Sequence, residues 1–179
     1  VATVLNFETL PADGETVNGD VVSGRAFAVQ PVVEARDDAG VRDLDFVDAV
    51  SLSVSSSGEL MGMTTESAVG GRVQFADAGY TATVDGETFH LVADDETGGG
   101  EGDLDAVATV DSLVADVVAT RIAVVEMPGD PSAVDGDVVN GRIFPRQPSL
   151  EAQDGLGGVD VDVHGEDIIL TVASGDVEL

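Results

Sequence analysis

The sequence predicts an all-β protein made of tandem β-sandwich units, the second incomplete within the chain, and three observations carry that reading. Ala2–Asp45 overlays Ala119–Asp162 without a gap, 117 residues further on, and 20 of the 44 aligned positions are identical. Self-similarity at that level marks a repeat architecture. Hydrophobic residues make up 43% of the chain, yet aromatics are only 4% and Trp is absent. A core must therefore come from Val, Ala, Leu and Ile, a composition that favours strands. Finally, no stretch has a convincing helical period, while 22 Gly and many Asp and Ser supply turns between short apolar runs.

Ala2–Leu10 is a short apolar run ended by Pro11-Ala12-Asp13-Gly14. Val17–Gly24 is turn-rich, with Asn18-Gly19 a tight-turn signal. In Arg25–Arg36, the residues Phe27, Val29, Val33 and Ala35 share one side of a period-two pattern, as in a half-buried strand. Pro31 interrupts it, as Pro148 does in the second copy. A proline removes a ladder donor, so an edge, a bulge or a switch of sheet is expected there. Asp37–Gly40 is a turn and Val41–Asp48 an acidic segment. Ala49–Ser55 alternates Val50, Leu52 and Val54 inward with Ser51, Ser53 and Ser55 outward. The second copy keeps this pattern as Ile168, Leu170 and Val172 after one inserted residue, which preserves the buried face. Further strands are expected at Glu59–Thr65, Arg72–Ala76 and Glu87–Ala93, with Asp85-Gly86 as a hairpin turn before the last. Asp94–Gly102 reads as an exposed acidic loop, and Ala106–Val118 as a final strand or two. Seven to nine short strands separated by turns predict a β-sandwich.

Thirty-five Asp and Glu face seven basic residues, all Arg, for a net charge of −28. Such a surface repels phosphate, which argues against nucleic acid and anionic lipid as partners. Its self-repulsion is tolerable in molar salt, where the Debye length is about 3 Å. Abundant Asp without Lys resembles a halophilic surface; bound divalent cations are a second, compatible way to carry the charge. The absence of Cys removes disulfides, thiol chemistry and zinc–cysteine sites. The absence of Lys removes Lys–Asn isopeptide staples. No apolar run approaches the roughly 18 residues of a membrane span. A start at Val1 without a signal peptide is expected for an excised piece of something longer.

Gln30-Pro31-Val32-Val33-Glu34-Ala35-Arg36-Asp37-Asp38-Ala39-Gly40, followed by Asp43, Asp45-Phe46 and Val50-Ser51-Leu52-Ser53-Val54, resembles bacterial immunoglobulin-like (Big/cadherin-like) repeat modules. Gly71–Phe75 and Thr88–Ala93 resemble the later half of the same module. The resemblance implies tandem immunoglobulin-like sandwiches, with repeat 1 over residues 1–118 and the first half of repeat 2 over 119–179. It also implies an extracellular or cell-surface setting and a structural or adhesive role, as in stalks, filaments and adhesins. The acidity and Ser149, where repeat 1 has Val32, depart from the pattern without threatening the fold. Half a sandwich leaves a hydrophobic face and strand edges open. Either the protein continues past Leu179, or a neighbouring chain supplies the missing strands and the chain self-associates by strand complementation.

The acids recur with the repeat. Asp20, Glu34, Asp37, Asp43 and Asp45 match Asp137, Glu151, Asp154, Asp160 and Asp162. Several hard oxygen ligands at one end of a sandwich are what Ca²⁺ takes, six to eight at a time. Asp43/Asp45 and Asp160/Asp162, at alternate positions, place two carboxylates on one face of an extended segment. Glu101, Asp103 and Asp105 near the unit boundary form a further acidic group. The competing reading is solvated loops of a halophilic surface, and no complete EF-hand or nonapeptide calcium repeat is present. His90 and His164 lie at unrelated positions, and Ser51, Ser53 and Ser55 have no base beside them, so no catalytic group is assigned. Arg25 and Arg142, at equivalent positions, are expected in structural ion pairs. The alternative function is a ligand- or carbohydrate-binding accessory module of a secreted enzyme, although one Tyr and six Phe offer little aromatic platform. A surface receptor or polysaccharide partner is left open.

Overall fold

The computed structural model describes residues 1–14, 18–95, 103–133, 137–163 and 167–171. No helix occurs among them. In chain order the strands are β1 (Val4–Thr9), β2 (Val21–Val22), β3 (Arg25–Ala26), β4 (Val32–Arg36), β5 (Ala49–Val54), β6 (Glu59–Met61), β7 (Thr65–Ser67) and β8 (Arg72–Gln74). They continue with β9 (Gly79–Thr81), β10 (Glu87–Phe89), β11 (Leu91–Asp95), β12 (Val107–Ala108), β13 (Leu113–Asp116), β14 (Arg121–Glu126) and β15 (Ser149–Gln153). They form sheets ordered β1-β4-β8, β10-β13-β2, β12-β11-β5-β7, β3-β9-β6 and β14-β15. Every pairing is antiparallel except β13 with β2. The result is an all-β, sandwich-like fold.

Pro31 breaks Arg25–Arg36 into β3 and β4, which belong to different sheets, so the proline marks a sheet switch. Phe27, Val33 and Ala35 are buried as the alternation predicts, but Val29 lies at the break and is exposed. Glu87–Ala93 divides in the same manner at His90, with β10 and β11 joining separate sheets. The His90 ring is held by the Thr109 carbonyl, 2.9 Å from Nδ1. Asp85-Gly86 is a turn, with Gly86 at φ 70°. It links sheets rather than closing a hairpin, because β9 pairs with β3 and β6 while β10 pairs with β13. The expected strand Glu59–Thr65 ends at Met61, and β7 begins at Thr65.

One apolar cluster gathers Leu5, Val33 and Val73 from one sheet, Val50, Leu52, Leu91 and Ala93 from another, and Phe46 and Phe75 from loops. Tyr80 and Phe89 stack at its centre, with ring centroids 4.0 Å apart and planes 16° from parallel. The Tyr80 hydroxyl is satisfied by Ser56 Oγ at 2.7 Å. Gly58 lies so close to that hydroxyl that any side chain would displace it. Glu87 fastens the surrounding loops by accepting the backbone N–H groups of Ser57, Gly58 and Thr83. Burial pushes its carboxyl up, but these donors and the Thr83 and Tyr80 hydroxyls outweigh that and hold it below the ordinary range.

The β14–β15 hairpin reproduces the β1–β4 hairpin residue for residue. Leu5↔Ala35 and Phe7↔Val33 become Ile122↔Ala152 and Val124↔Leu150, and both hairpins slip register at the same place, Phe7/Thr9 and Val124/Glu126. The bridge Ala12↔Val29 recurs as Gly129↔Arg146, and Arg36↔Arg42 as Gln153↔Val159. Burial does not follow. Leu5 is 1% exposed and Ile122 49%; Phe27 is 3% and Phe144 38%; Phe46 is 0% and Val163 43%. Among the described residues no hydrophobic side chain after Val117 is buried.

The strand expected around Ile168 and Leu170 is not formed in the described residues 167–171, where Ile168, Ile169 and Leu170 are exposed. Apolar alternation alone does not hold a strand without a partner to pair with. Val172 and residues 96–102 of the expected acidic loop lie outside the described residues. Asp94 and Asp95 belong to β11, and Asp95 is buried rather than exposed.

Candidate functional site

The aspartates that gather do so at the seam between residues 1–118 and the second hairpin. Asp85 comes from the turn before β10, Asp116 from the end of β13, and Asp160 and Asp162 from the loop after β15. One carboxylate oxygen from each of Asp85, Asp160 and Asp162 lies within 4.8 Å of the others. The link between the halves threads through this group. Val117 N–H donates to Asp85 Oδ1 at 2.8 Å and Val161 N–H to its Oδ2 at 2.9 Å, so a single carboxylate clasps both sides. Ala119 N–H donates to Asp160 Oδ2 at 2.8 Å, and Asp162 N–H to Asp160 Oδ1 at 3.3 Å. The Asn18 side-chain amide donates to Asp162. Leu156 packs against Gly24 on the flank, where Gly24 has φ 74°.

Like charges this close raise one another's proton affinity. Burial, then the charges of Asp162, Asp85 and Asp160, push the Asp116 carboxyl up, and Asn18 N–H opposes this only in part. The Asp162 carboxyl is raised first by its contact with Asp160 and then by burial. None of the ion pairs among the described residues brings an arginine to any of the four. Asp85, Asp160 and Asp162 supply three hard oxygens, a part of the six to eight that Ca²⁺ takes.

The repeated acids separate into distinct roles. Asp37 and Asp154 cap equivalent loops: Asp37 Oδ1 accepts Ala39 and Val41 N–H at 2.9 Å each, and Asp154 Oδ1 accepts Leu156 and Gly158 N–H at 2.9 and 2.8 Å. Each loop turns through a glycine in the left-handed region, Gly40 at φ 79° and Gly157 at φ 94°. Glu34 is buried and bound by two guanidiniums, Arg36 at 2.7 Å and Arg42 at 3.1 Å. Burial pushes its carboxyl up, but the two arginines prevail and leave it below the ordinary value of 4.5. Glu151 has only the Gln153 amide, at 2.9 Å, among the described residues. Asp20 caps β13 by accepting Val114 N–H at 2.9 Å. Asp137 is exposed and accepts Asp130 N–H through its carbonyl at 2.7 Å.

Asp43, the counterpart of Asp160, accepts Asp45 N–H at 3.0 Å and lies 3.3 Å from the Val1 ammonium. Asp45 is exposed. Of the ten repeated acids, then, only Asp160 and Asp162 enter the three-carboxylate group. Asp103 and Asp105 are exposed, and Asp103 acts on Asp95 rather than on the seam. Glu101 and His164 lie outside the described residues. Arg142 approaches Asp130 at 3.9 Å, an ion pair as expected, whereas the ion pairs of the described residues do not include Arg25. Asp85 and Asp116 escaped the sequence reading because they come from the unduplicated part of the chain, where repetition gives no signal. No family model, curated protein or solved structure matches the chain.

Proposed function

We propose that the chain is part of an extracellular structural or adhesive array of immunoglobulin-like units joined at an acidic seam. The observation that supports this most is the second hairpin, which repeats β1–β4 in register and bulge and is fixed to the first unit through Asp85 and Asp160. A joint fastened by backbone N–H groups on both sides transmits orientation from unit to unit, as a stalk or filament requires. The extracellular setting rests on the sequence resemblance. The accessory-module alternative draws less support: Phe27, Phe46, Phe75, Tyr80 and Phe89 are sealed in the core, which leaves a sugar ring only Phe144, 38% exposed, and the half-buried Phe7. Electron micrographs of the native material are expected to show rods or fibres of even width. Isolated compact particles without end-to-end order would defeat the reading.

Under the same reading Ca²⁺ belongs at the seam, on Asp85, Asp160 and Asp162. Millimolar Ca²⁺ in low salt is expected to raise the melting temperature by several degrees over excess chelator, because an ion that binds only the folded form stabilises it by mass action. The gain should vanish in Asp85→Asn. Equal melting with and without Ca²⁺, at low and at molar salt, removes the ion and leaves a salt-adapted surface.

A further inference from the structure

We propose that Asp95 and Asp103 bind a hard divalent cation, Ca²⁺ or Mg²⁺, at the end of the first unit away from the seam. The site is separate from Asp85, Asp160 and Asp162 and does not depend on whether they hold an ion. Three buried carboxylate oxygens lack a hydrogen-bond partner among the described residues: Oδ2 of Asp43, of Asp130 and of Asp95. The first two have a cation nearby, the Val1 ammonium at 3.3 Å and Arg142 at 3.9 Å. Asp95 is only 3% exposed, and no ion pair of the described residues reaches it. It is the one orphan without a counter-charge among them.

A buried carboxylate in that state is destabilising. A proton would remove the charge but turn Oδ2 into a donor with its own need of a partner. The fold instead brings a second acid to the first. Asp95 Oδ1 accepts Leu104 N–H at 3.0 Å, so the segment that carries Asp103 lies against the end of β11. Leu104 itself is anchored in the core. Burial pushes the Asp95 carboxyl up, the N–H groups of Leu104 and of Asp95 itself oppose this, and the charges of Asp103 and Asp94 add to the rise. A cation between Asp95 Oδ2 and the Asp103 carboxylate satisfies the orphan oxygen and cancels the repulsion together. Hard ions suit such a set: Mg²⁺ takes one or two carboxylates and keeps several waters, while Ca²⁺ fills a larger shell with carbonyls and water. Asp103 is exposed, so water reaches that side. The strand ladder separates this end from the seam, running from Glu87↔Ala115 beside Asp85 and Asp116 to Ala93↔Val107 beside Asp95. The ion would pin the return from β11 to β12, not the joint between units.

The test is hydrogen exchange of the full 179-residue chain, at the lowest salt that keeps it folded, in chelator and with millimolar CaCl₂ or MgCl₂. At least one ion is expected to slow exchange of the Leu104 N–H severalfold and saturably. The slowing should be the same in Asp85→Asn, which removes a seam ligand. Asp103→Asn, a change at an exposed position, should raise the half-saturating ion concentration by roughly tenfold, because affinity follows ligand charge. Asp95→Asn should abolish the slowing yet melt no lower than wild type in chelator, since it removes an uncompensated buried charge. That pairing separates a lost site from a lost fold. No slowing at Leu104 with either ion overturns the proposal, as does slowing that persists unchanged in both Asp95→Asn and Asp103→Asn. Slowing that disappears in Asp85→Asn assigns the ion to the seam and also overturns it. Stabilisation by Ca²⁺ that needs Asp85, with Leu104 unaffected, would remove this site and leave the one at the seam.

Discussion

Replacing Arg36 by Gln and Arg42 by Val, the residues found at the matching places in the second hairpin, is expected to destabilise the first unit by about 2–3 kcal/mol at neutral pH. Removing the partners of a buried carboxylate costs roughly 3–5 kcal/mol when the pair is fully enclosed. The lower figure applies because the two guanidiniums remain 32% and 41% exposed while the Glu34 side chain is only 7% exposed. The pH dependence has a definite sign. Glu34 titrates below its ordinary value of 4.5 when folded. Its contribution is therefore complete above about pH 4.5 and is lost as the pH falls through the depressed value. Urea denaturation at fixed salt should show a gap between wild type and variant that is widest near pH 6–7 and narrows in acid. A gap that stays constant from pH 7 to pH 3 would show that the arginines act through packing alone.

The second large effect runs in the opposite direction. Asp116→Asn is expected to stabilise the protein at neutral pH and low salt by about 1–4 kcal/mol, the Coulomb scale for two charges about 4 Å apart between bulk water and a protein surface. Asparagine keeps an acceptor for Asn18 N–H while removing a buried charge facing three others. Because the folded Asp116 carboxyl titrates above its ordinary value of 3.8, its penalty is fully present above that raised value and relieved as the pH falls through it. The advantage of the variant should fade toward pH 4, and also in molar salt, where screening shortens the range of the repulsion. Added Ca²⁺ should erase it too, since an ion at the seam turns the Asp116 charge from a liability into an asset. A variant less stable than wild type at low salt without Ca²⁺ would contradict the picture of an overcharged seam.

Much of the fold was legible in the chain because its cues are local. Alternation marked β5 through Val50 and Leu52, Pro31 marked the break between β3 and β4, and repetition located β14 and β15 through β1 and β4. Three things were not local. The split of Glu87–Ala93 at His90 depends on which partners β10 and β11 find, and no periodicity reports that. Ile168 and Leu170 carry a strand pattern but stay exposed, since pattern specifies a face and not a neighbour. At the seam, repetition picked out Asp160 and Asp162 but could not reveal Asp85 or Asp116, whose importance arises from folding across more than forty residues of sequence. Repetition also marked acids that sit away from the seam: Asp37 and Asp154 each accept two backbone N–H groups of a loop that turns through a left-handed glycine, and Glu34 is held by Arg36 and Arg42.

The identity of register between the two hairpins has a geometric consequence. One rotation combined with one translation carries β1–β4 onto β14–β15, and the aspartate clasp fixes both. Any further unit joined through the same clasp would be placed by the same screw operation. Unless its translation were zero, an assembly grown in this way could not close into a ring. It would instead trace a rope whose handedness and pitch are set by a few hydrogen bonds at Asp85 and Asp160, so small changes there would be read out as large changes in the coil.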